Sequence, residues 1–211
     1  HRIVCAGIAA LQELLELHYQ PVVDLNDGAL LGVEALLRWT DPDLGSVPPH
    51  RFIPIAEESA MINRLGDWVI RTACRQMAAW QAAGQQVPRV AVNVSGRQFA
   101  QPDFVDKLKS ALADHGVRGE RLMIEVTESV LQQMDKSRQI LLAIKAIGVS
   151  VAIDDFGAGF SALGLLKHLP IDVLKIDRSL IADLPDSTSD IAIVGAIVAM
   201  AASLGVSFFC S

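Results

Sequence analysis

An α/β barrel is the fold class this sequence predicts, and three observations predict it. From Arg89 onward, short apolar runs alternate with amphipathic stretches, and strand alternating with helix implies a parallel sheet covered by helices. Upstream, two apolar runs flank Asn26-Asp27-Gly28, a turn so tight that it joins only antiparallel neighbours. The chain has 211 residues, 51% of them apolar but only 5% aromatic, so one large core is affordable and aliphatic side chains fill it, as on a parallel sheet. Seven strands are expected, one short of a TIM-like (β/α)8 barrel, a fold that runs to about 250 residues. The expectation is therefore such a barrel with an antiparallel first strand and without its last β/α unit, over residues 17–211. A linker remnant and a leading helix are expected over 1–16.

Each element follows from local pattern. Residues 11–17 read as a short helix and 18–25 as the first strand; after the turn, 30–39 return as the second. The proline- and aspartate-rich stretch 41–49 reads as a loop, 52–60 as a short helix, and 63–83 as a long amphipathic one ended by Gly84. Strands are expected at 89–94, 122–126, 149–153, 173–176 and 206–210. Helices are expected at 103–115 and 135–147, each followed by glycine, and at 161–168 and 189–204. The segment 191–211 carries no charged side chain, but Ser203-Leu204-Gly205 interrupts it and its clean helical part, 191–202, is 12 residues. That is too short to span a bilayer, so a buried helix followed by a strand is expected, with no membrane span in this segment.

A net charge of −6 argues against DNA and against broad binding to anionic surfaces. Cys5, Cys74 and Cys210 are odd in number and far apart, without metal-ligand spacing or a disulfide framework, which suits reduced thiols and a cytoplasmic location.

In barrels of this kind chemistry sits at the carboxyl ends of the strands. Those ends supply Glu34, Asn93, Glu125, the pair Asp154-Asp155, and Lys175 with Asp177. Singly, each has a bland reading: a solvated acid, a turn former, a surface lysine. Together they recur at the same place in successive units and interrupt apolar runs, where an unpaired charge is costly. Adjacent carboxylates repel unless a positive charge sits between them. Carboxylate and amide oxygens without a His or Cys set suit Mg²⁺ or Mn²⁺, and two such ions serve phosphodiester cleavage. An aldolase-like lysine nucleophile is the poorer alternative, since Lys175 stands among acids rather than in an apolar pocket.

The run Gly32-Val33-Glu34-Ala35-Leu36-Leu37-Arg38-Trp39 resembles the signature of the EAL domain family, the cyclic di-GMP phosphodiesterases. So do Tyr19-Gln20-Pro21, Asn93-Val94-Ser95, Glu125-Val126-Thr127-Glu128, Asp154-Asp155-Phe156-Gly157 and Lys175-Ile176-Asp177. The resemblance runs from about Leu17 to Gly205. It implies a (β/α)8-type barrel with an antiparallel first strand, and hydrolysis of cyclic di-GMP to linear pGpG with two Mg²⁺ or Mn²⁺ ions. By the same resemblance Glu34, Asn93, Glu125 and Asp154 hold the first ion and Asp155 the second, while Lys175 lies beside the attacking water. Gln20, Arg38 and Asp177 meet the dinucleotide, and Glu128 steadies the loop after the strand that carries Asp154. Family members commonly dimerise and are commonly fused to sensory or cyclase domains, in proteins that include membrane-anchored ones, so the resemblance implies a homodimer and an upstream domain of that kind. The sequence departs from the pattern at its end, where Ser211 stands in place of a metal-binding glutamate and the eighth strand is missing, and in the loop, where Ala158 and Ala162 replace hydroxyl residues. A catalytically inactive cyclic di-GMP receptor is therefore the alternative function.

Overall fold

The computed structural model describes residues 13–132, 134–157 and 166–210, in two compact units, His1–Met123 and Ile124–Ser211. The first unit opens with a hairpin of β1 (Leu15–Val23) and β2 (Leu30–Asp41), paired antiparallel with Gln20 opposite Glu34 and Glu16 opposite Arg38. The turn forms as expected: Gly28 donates its N–H to the Asp24 carbonyl at 2.9 Å, and the Asp24 carboxylate accepts the Asn26 N–H at 2.7 Å. Gly28 has φ +71°, the left-handed region that glycine enters without penalty.

Two expectations are corrected here. Residues 15–17, read as helix, belong to β1. Their good helix formers lose to pairing, because Leu15 and Leu17 face Trp39 and Leu37 across the ladder. The expected loop 41–49 contains β3 (Gly45–Val47), antiparallel to the end of β2. The buried Asp41 carboxylate accepts the Asp43 and Leu44 N–H groups at 2.9 and 3.0 Å and shapes the turn. The two expected helices then appear with small shifts: α1 (Pro49–Glu58), begun by proline where its missing N–H costs nothing, and α2 (Met61–Ala82). β4 (Val90–Asn93) lies parallel to β2, giving the order β1-β2-β4 with β3 off β2. A single-turn helix α3 (Gly96–Phe99) and α4 (Phe104–His115) follow. The core of this unit is Ala73, Cys74 and Met77 of α2, Val90 and Val92 of β4, and Leu108 of α4.

The second unit orders its strands β5 (Leu122–Thr127), β6 (Ser150–Phe156), β7 (Val173–Ile176) and β8 (Ser207–Cys210), with β6, β7 and β8 parallel. Its helices are α5 (Met134–Ala146) and α6 (Thr188–Leu204). Leu141, Ile144, Val151, Ile153 and Leu174 are fully buried. The helix expected at 161–168 falls largely outside the described residues. α6 forms where expected but is not buried in this chain: only Ile197 and Ala201 are covered, and Ile191 and Ile193 are 50% and 44% exposed. Among the described residues no helix is long and apolar enough to cross a membrane.

Candidate active site

In the first unit, β2 and β4 run parallel with Glu34 beside Ala91, which puts Asn93, two residues on, over the same face. There the Asn93 side-chain N–H donates to Glu34 Oε1 at 2.8 Å. With its nitrogen donating to Glu34, Asn93 keeps its side-chain carbonyl oxygen as a hard donor. Gln20, directly opposite Glu34, and Arg38, four residues along β2, share that face by the two-residue alternation of strands. The Arg38 guanidinium donates to the Leu37 carbonyl at 3.0 Å.

In the second unit, three consecutive strands converge on one ammonium group. Lys175 Nζ on β7 donates to Glu125 Oε2 on β5 at 2.8 Å and to Asp154 Oδ2 on β6 at 3.1 Å. The Lys175 and Glu125 side chains are 8% and 2% exposed. Two carboxylates against one ammonium leave a net negative charge in a site shielded from water. Carboxylate oxygens of Glu125 and Asp154 lie within 4.8 Å of each other, close enough to share a divalent ion. Oxygen donors, net charge and spacing thus fit a hard cation.

The acids of β6 are presented by a bulge. The strand was expected to stop at Ile153; instead it continues to Phe156. Ile153 pairs with Leu174 and Phe156 with Ile176, so β6 holds one residue more than β7 over this interval. An unbulged strand sends neighbouring side chains to opposite faces; an extra residue breaks that alternation, as bulges beside active sites do. Asp155 takes φ +53°, and its N–H donates to Asp154 Oδ1 at 3.0 Å. Gly157 follows at φ +95°, where an added Cβ would stand 2.5 Å from Leu180.

Asp177, one residue past β7, caps the turn Arg178–Leu180. Its carboxylate accepts the Ser179 N–H at 2.8 Å and the Ser179 hydroxyl. These bonds hold its pKa below the usual aspartate range, the hydroxyl bond contributing most. One oxygen of Asp177 is therefore structural. Glu128 opens the turn Glu128–Gln132 directly after β5; the loop it was expected to steady, and Ala158, Ala162 and Ser211, lie outside the described residues. Sequence reasoning missed Ser179 and the pair Ser95 and Gln98. The signal for the latter was present: Ser-x-x-Gln is a helix-capping pattern, and Ser95 Oγ does accept the Gln98 N–H at 3.2 Å.

A sequence model described as the EAL domain matches residues 8–211. The chain is 46% identical over 191 residues to the bifunctional diguanylate cyclase/cyclic di-GMP phosphodiesterase MucR of Pseudomonas aeruginosa, covering 90% of this chain and 28% of that protein. It is 44% identical over 197 residues to the cyclic di-GMP phosphodiesterase NbdA of the same organism, covering 93% and 25%. The chain thus spans about a quarter of the length of these two relatives. Among solved structures, a PaMucR phosphodiesterase in complex with c-di-GMP matches with TM-score 0.92 and 42% identity, over 99% of this chain and 85% of that one. The EAL enzyme Bd1971, in its cAMP and cyclic-di-GMP bound form, matches with TM-score 0.91 and 31% identity, over 99% and 58%.

Proposed function

The chain belongs to the EAL domain family, and on that footing we propose that it is a cyclic di-GMP phosphodiesterase domain, hydrolysing the cyclic dinucleotide to linear pGpG with Mg²⁺ or Mn²⁺. The observation that carries the proposal is the buried Lys175 ammonium bridging Glu125 and Asp154, with Asp155 following Asp154 in the bulged end of β6. Relatives named as cyclic di-GMP phosphodiesterases support the substrate.

In this reading Glu34, Asn93, Glu125 and Asp154 hold the first ion and Asp155 the second. Bound there, the ions make a water nucleophilic near neutral pH and stabilise the leaving oxygen. Lys175 holds the attacking water in place and offsets charge on the phosphoryl oxygens. Arg38 presents a planar fork suited to phosphate oxygens, Gln20 and Asp177 meet the dinucleotide, and Glu128 orders the loop after β6. The exposed apolar side chains of α6, Ile191 and Ile193 among them, support a homodimer. The greater length of the relatives supports a sensory or cyclase domain ahead of a linker at residues 1–16, in a cytoplasmic setting, in a protein that is itself soluble or membrane-anchored. The second reading, an inactive cyclic di-GMP receptor, is favoured by one observation: Ser211 stands where the family carries a metal-binding glutamate.

Incubation with cyclic di-GMP and Mg²⁺ or Mn²⁺, followed by chromatography for pGpG, with a parallel binding measurement in Ca²⁺, separates the two. Product supports the phosphodiesterase. Binding without product at every metal concentration leaves the receptor, and absence of binding removes both.

A further inference from the structure

Two features of the first unit are locally unfavourable and meet at one contact. Gly66 lies inside the long helix α2, where a glycine weakens the helix relative to alanine. Gln98 lies in α3, 2% exposed, with its side-chain nitrogen lacking any hydrogen-bond partner, which leaves a buried donor unsatisfied. A Cβ built on Gly66 would stand 2.0 Å from Gln98 Oε1, 2.3 Å from Cδ and 2.4 Å from Nε2. The whole carboxamide therefore lies in a notch that exists only because residue 66 has no side chain. In a capping box the glutamine would reach back to the Ser95 N–H. Among the described residues it makes no such bond, and occupies the notch instead.

What the contact holds follows from the chain beside it. The β2–β4 ladder ends at Ala35 opposite Val92, so on its β2 side Asn93, the last residue of β4, lies beyond the paired residues. On that side its backbone is held from downstream. Val94 is buried, Ser95 caps α3, and Phe99 donates its N–H to the Ser95 carbonyl at 2.9 Å. Phe99 ties the far end of that turn to Phe104 of α4, ring centroids 6.1 Å apart. Gln98 ties it to α2. We propose that Gln98, seated against Gly66, is a positioning residue that fixes the turn after β4 and thereby aims Asn93 at Glu34. Its consequence for metal binding rests on the ligand set given under Proposed function; the aim of Asn93 does not.

The test uses metal-free protein first. The Asn93 side-chain amide pair in ¹⁵N–¹H spectra is assigned by its loss in Asn93→Ala. Gln98→Ala and Gly66→Ala are expected to shift or broaden that pair, and Gly66→Ala in the Gln98→Ala background to add nothing, since the methyl then enters an empty notch. Gln98→Met fills the seat without the unsatisfied amide and is expected to leave the pair at its parent position. Should the alanine variants not fold, Gln98→Leu, apolar but too short for the notch, takes their place against Gln98→Met. An unmoved Asn93 pair in the folded variants overturns the proposal. Mn²⁺ calorimetry adds the functional arm: Gln98→Ala is expected to weaken binding about tenfold, as loss of an outer support does, with Gln98→Met at the parent value. If Asn93→Ala itself leaves Mn²⁺ affinity unchanged, the ligand assignment fails while the spectra still decide the positioning role.

Discussion

Replacing Lys175 with methionine removes the ammonium from between Glu125 and Asp154 while keeping most of the side chain's volume. The side chains involved are 8%, 2% and 13% exposed, so solvent screens little of the result. Breaking a buried pair by deleting one partner costs about 3–5 kcal/mol, because the remaining charge is uncompensated. Here two carboxylates remain, facing each other, so the upper half of that range is expected. In a domain of this size 1 kcal/mol moves the melting temperature by about 2–4 °C, and the variant should melt lower by roughly 10 °C or more. Urea unfolding at pH 7.5 with EDTA measures the loss directly, and an unchanged slope shows that the unfolded surface is the same. Adding Glu125→Gln should return part of the stability, since contacting residues are coupled. Mn²⁺ should return part of it as well, a cation bound only by the folded state stabilising by mass action. A loss below about 1 kcal/mol, typical of exposed pairs, would refute the view that Lys175 neutralises a buried acidic site.

Asp155 adopts a left-handed backbone that suits Asn and Gly, so Asp155→Asn and Asp155→Gly should unfold within about 1 kcal/mol of the parent while the proposed hydrolysis falls about a hundredfold; loss of fold on denaturation curves would contradict this. Burial pushes the Cys74 thiol up to about 12, so a thiol reagent at pH 8 should leave Cys74 unlabelled until denaturant is added. The single tyrosine, Tyr19, stands against Trp80 with ring centroids 4.8 Å apart, and burial raises its phenol from 10.0 to about 12. A raised acid favours the neutral folded form, so its contribution to stability is complete below pH 10 and is lost as pH climbs toward 12. An ultraviolet titration of the native protein with a midpoint near 10 would contradict the burial.

The TIM-like α/β class expected from strand–helix alternation is that of the EAL domains this chain matches. Elements bounded by local signals are placed best. The expected helix 103–115 forms as Phe104–His115 with Gly116 in the left-handed cap, and the strand 173–176 forms as Val173–Ile176, because such signals are local. β1 was misread over 15–17 because Leu-Glu-Leu suits a helix in isolation, and only the partner strand, about 20 residues away, decides for extension. β3 was missed for the same reason: three residues acquire strand character only from Trp39–Asp41. The chemistry-bearing residue types were legible at strand ends, but their partners were not. Lys175 meets a glutamate 50 positions earlier, and nothing in a linear pattern selects Glu125 over the other acids.

The departures from local preference share a location. The bulge and left-handed Asp155 follow Ile153 at the end of β6, and the notch at Gly66 holds the turn just past the end of β4. A chain optimised only for stability would run β6 straight, place alanine at 66 and leave no unsatisfied amide at 98. Each of those changes would also act on a strand end that carries polar side chains: a straight β6 would restore the strict alternation that the bulge breaks at Asp154 and Asp155, and Asn93 would lose its downstream anchor. Local inconsistency that repeats at the carboxyl ends of strands, and is compensated by well-buried neighbours, is what a site under geometric demand produces. The two glycines illustrate the distinction. Gly116 closes a helix, and its added Cβ would meet nothing within 4 Å, so it serves backbone conformation alone. Gly66 has an ordinary helical backbone and no conformational need for glycine; what it provides is room for Gln98, and through Gln98 the aim of Asn93.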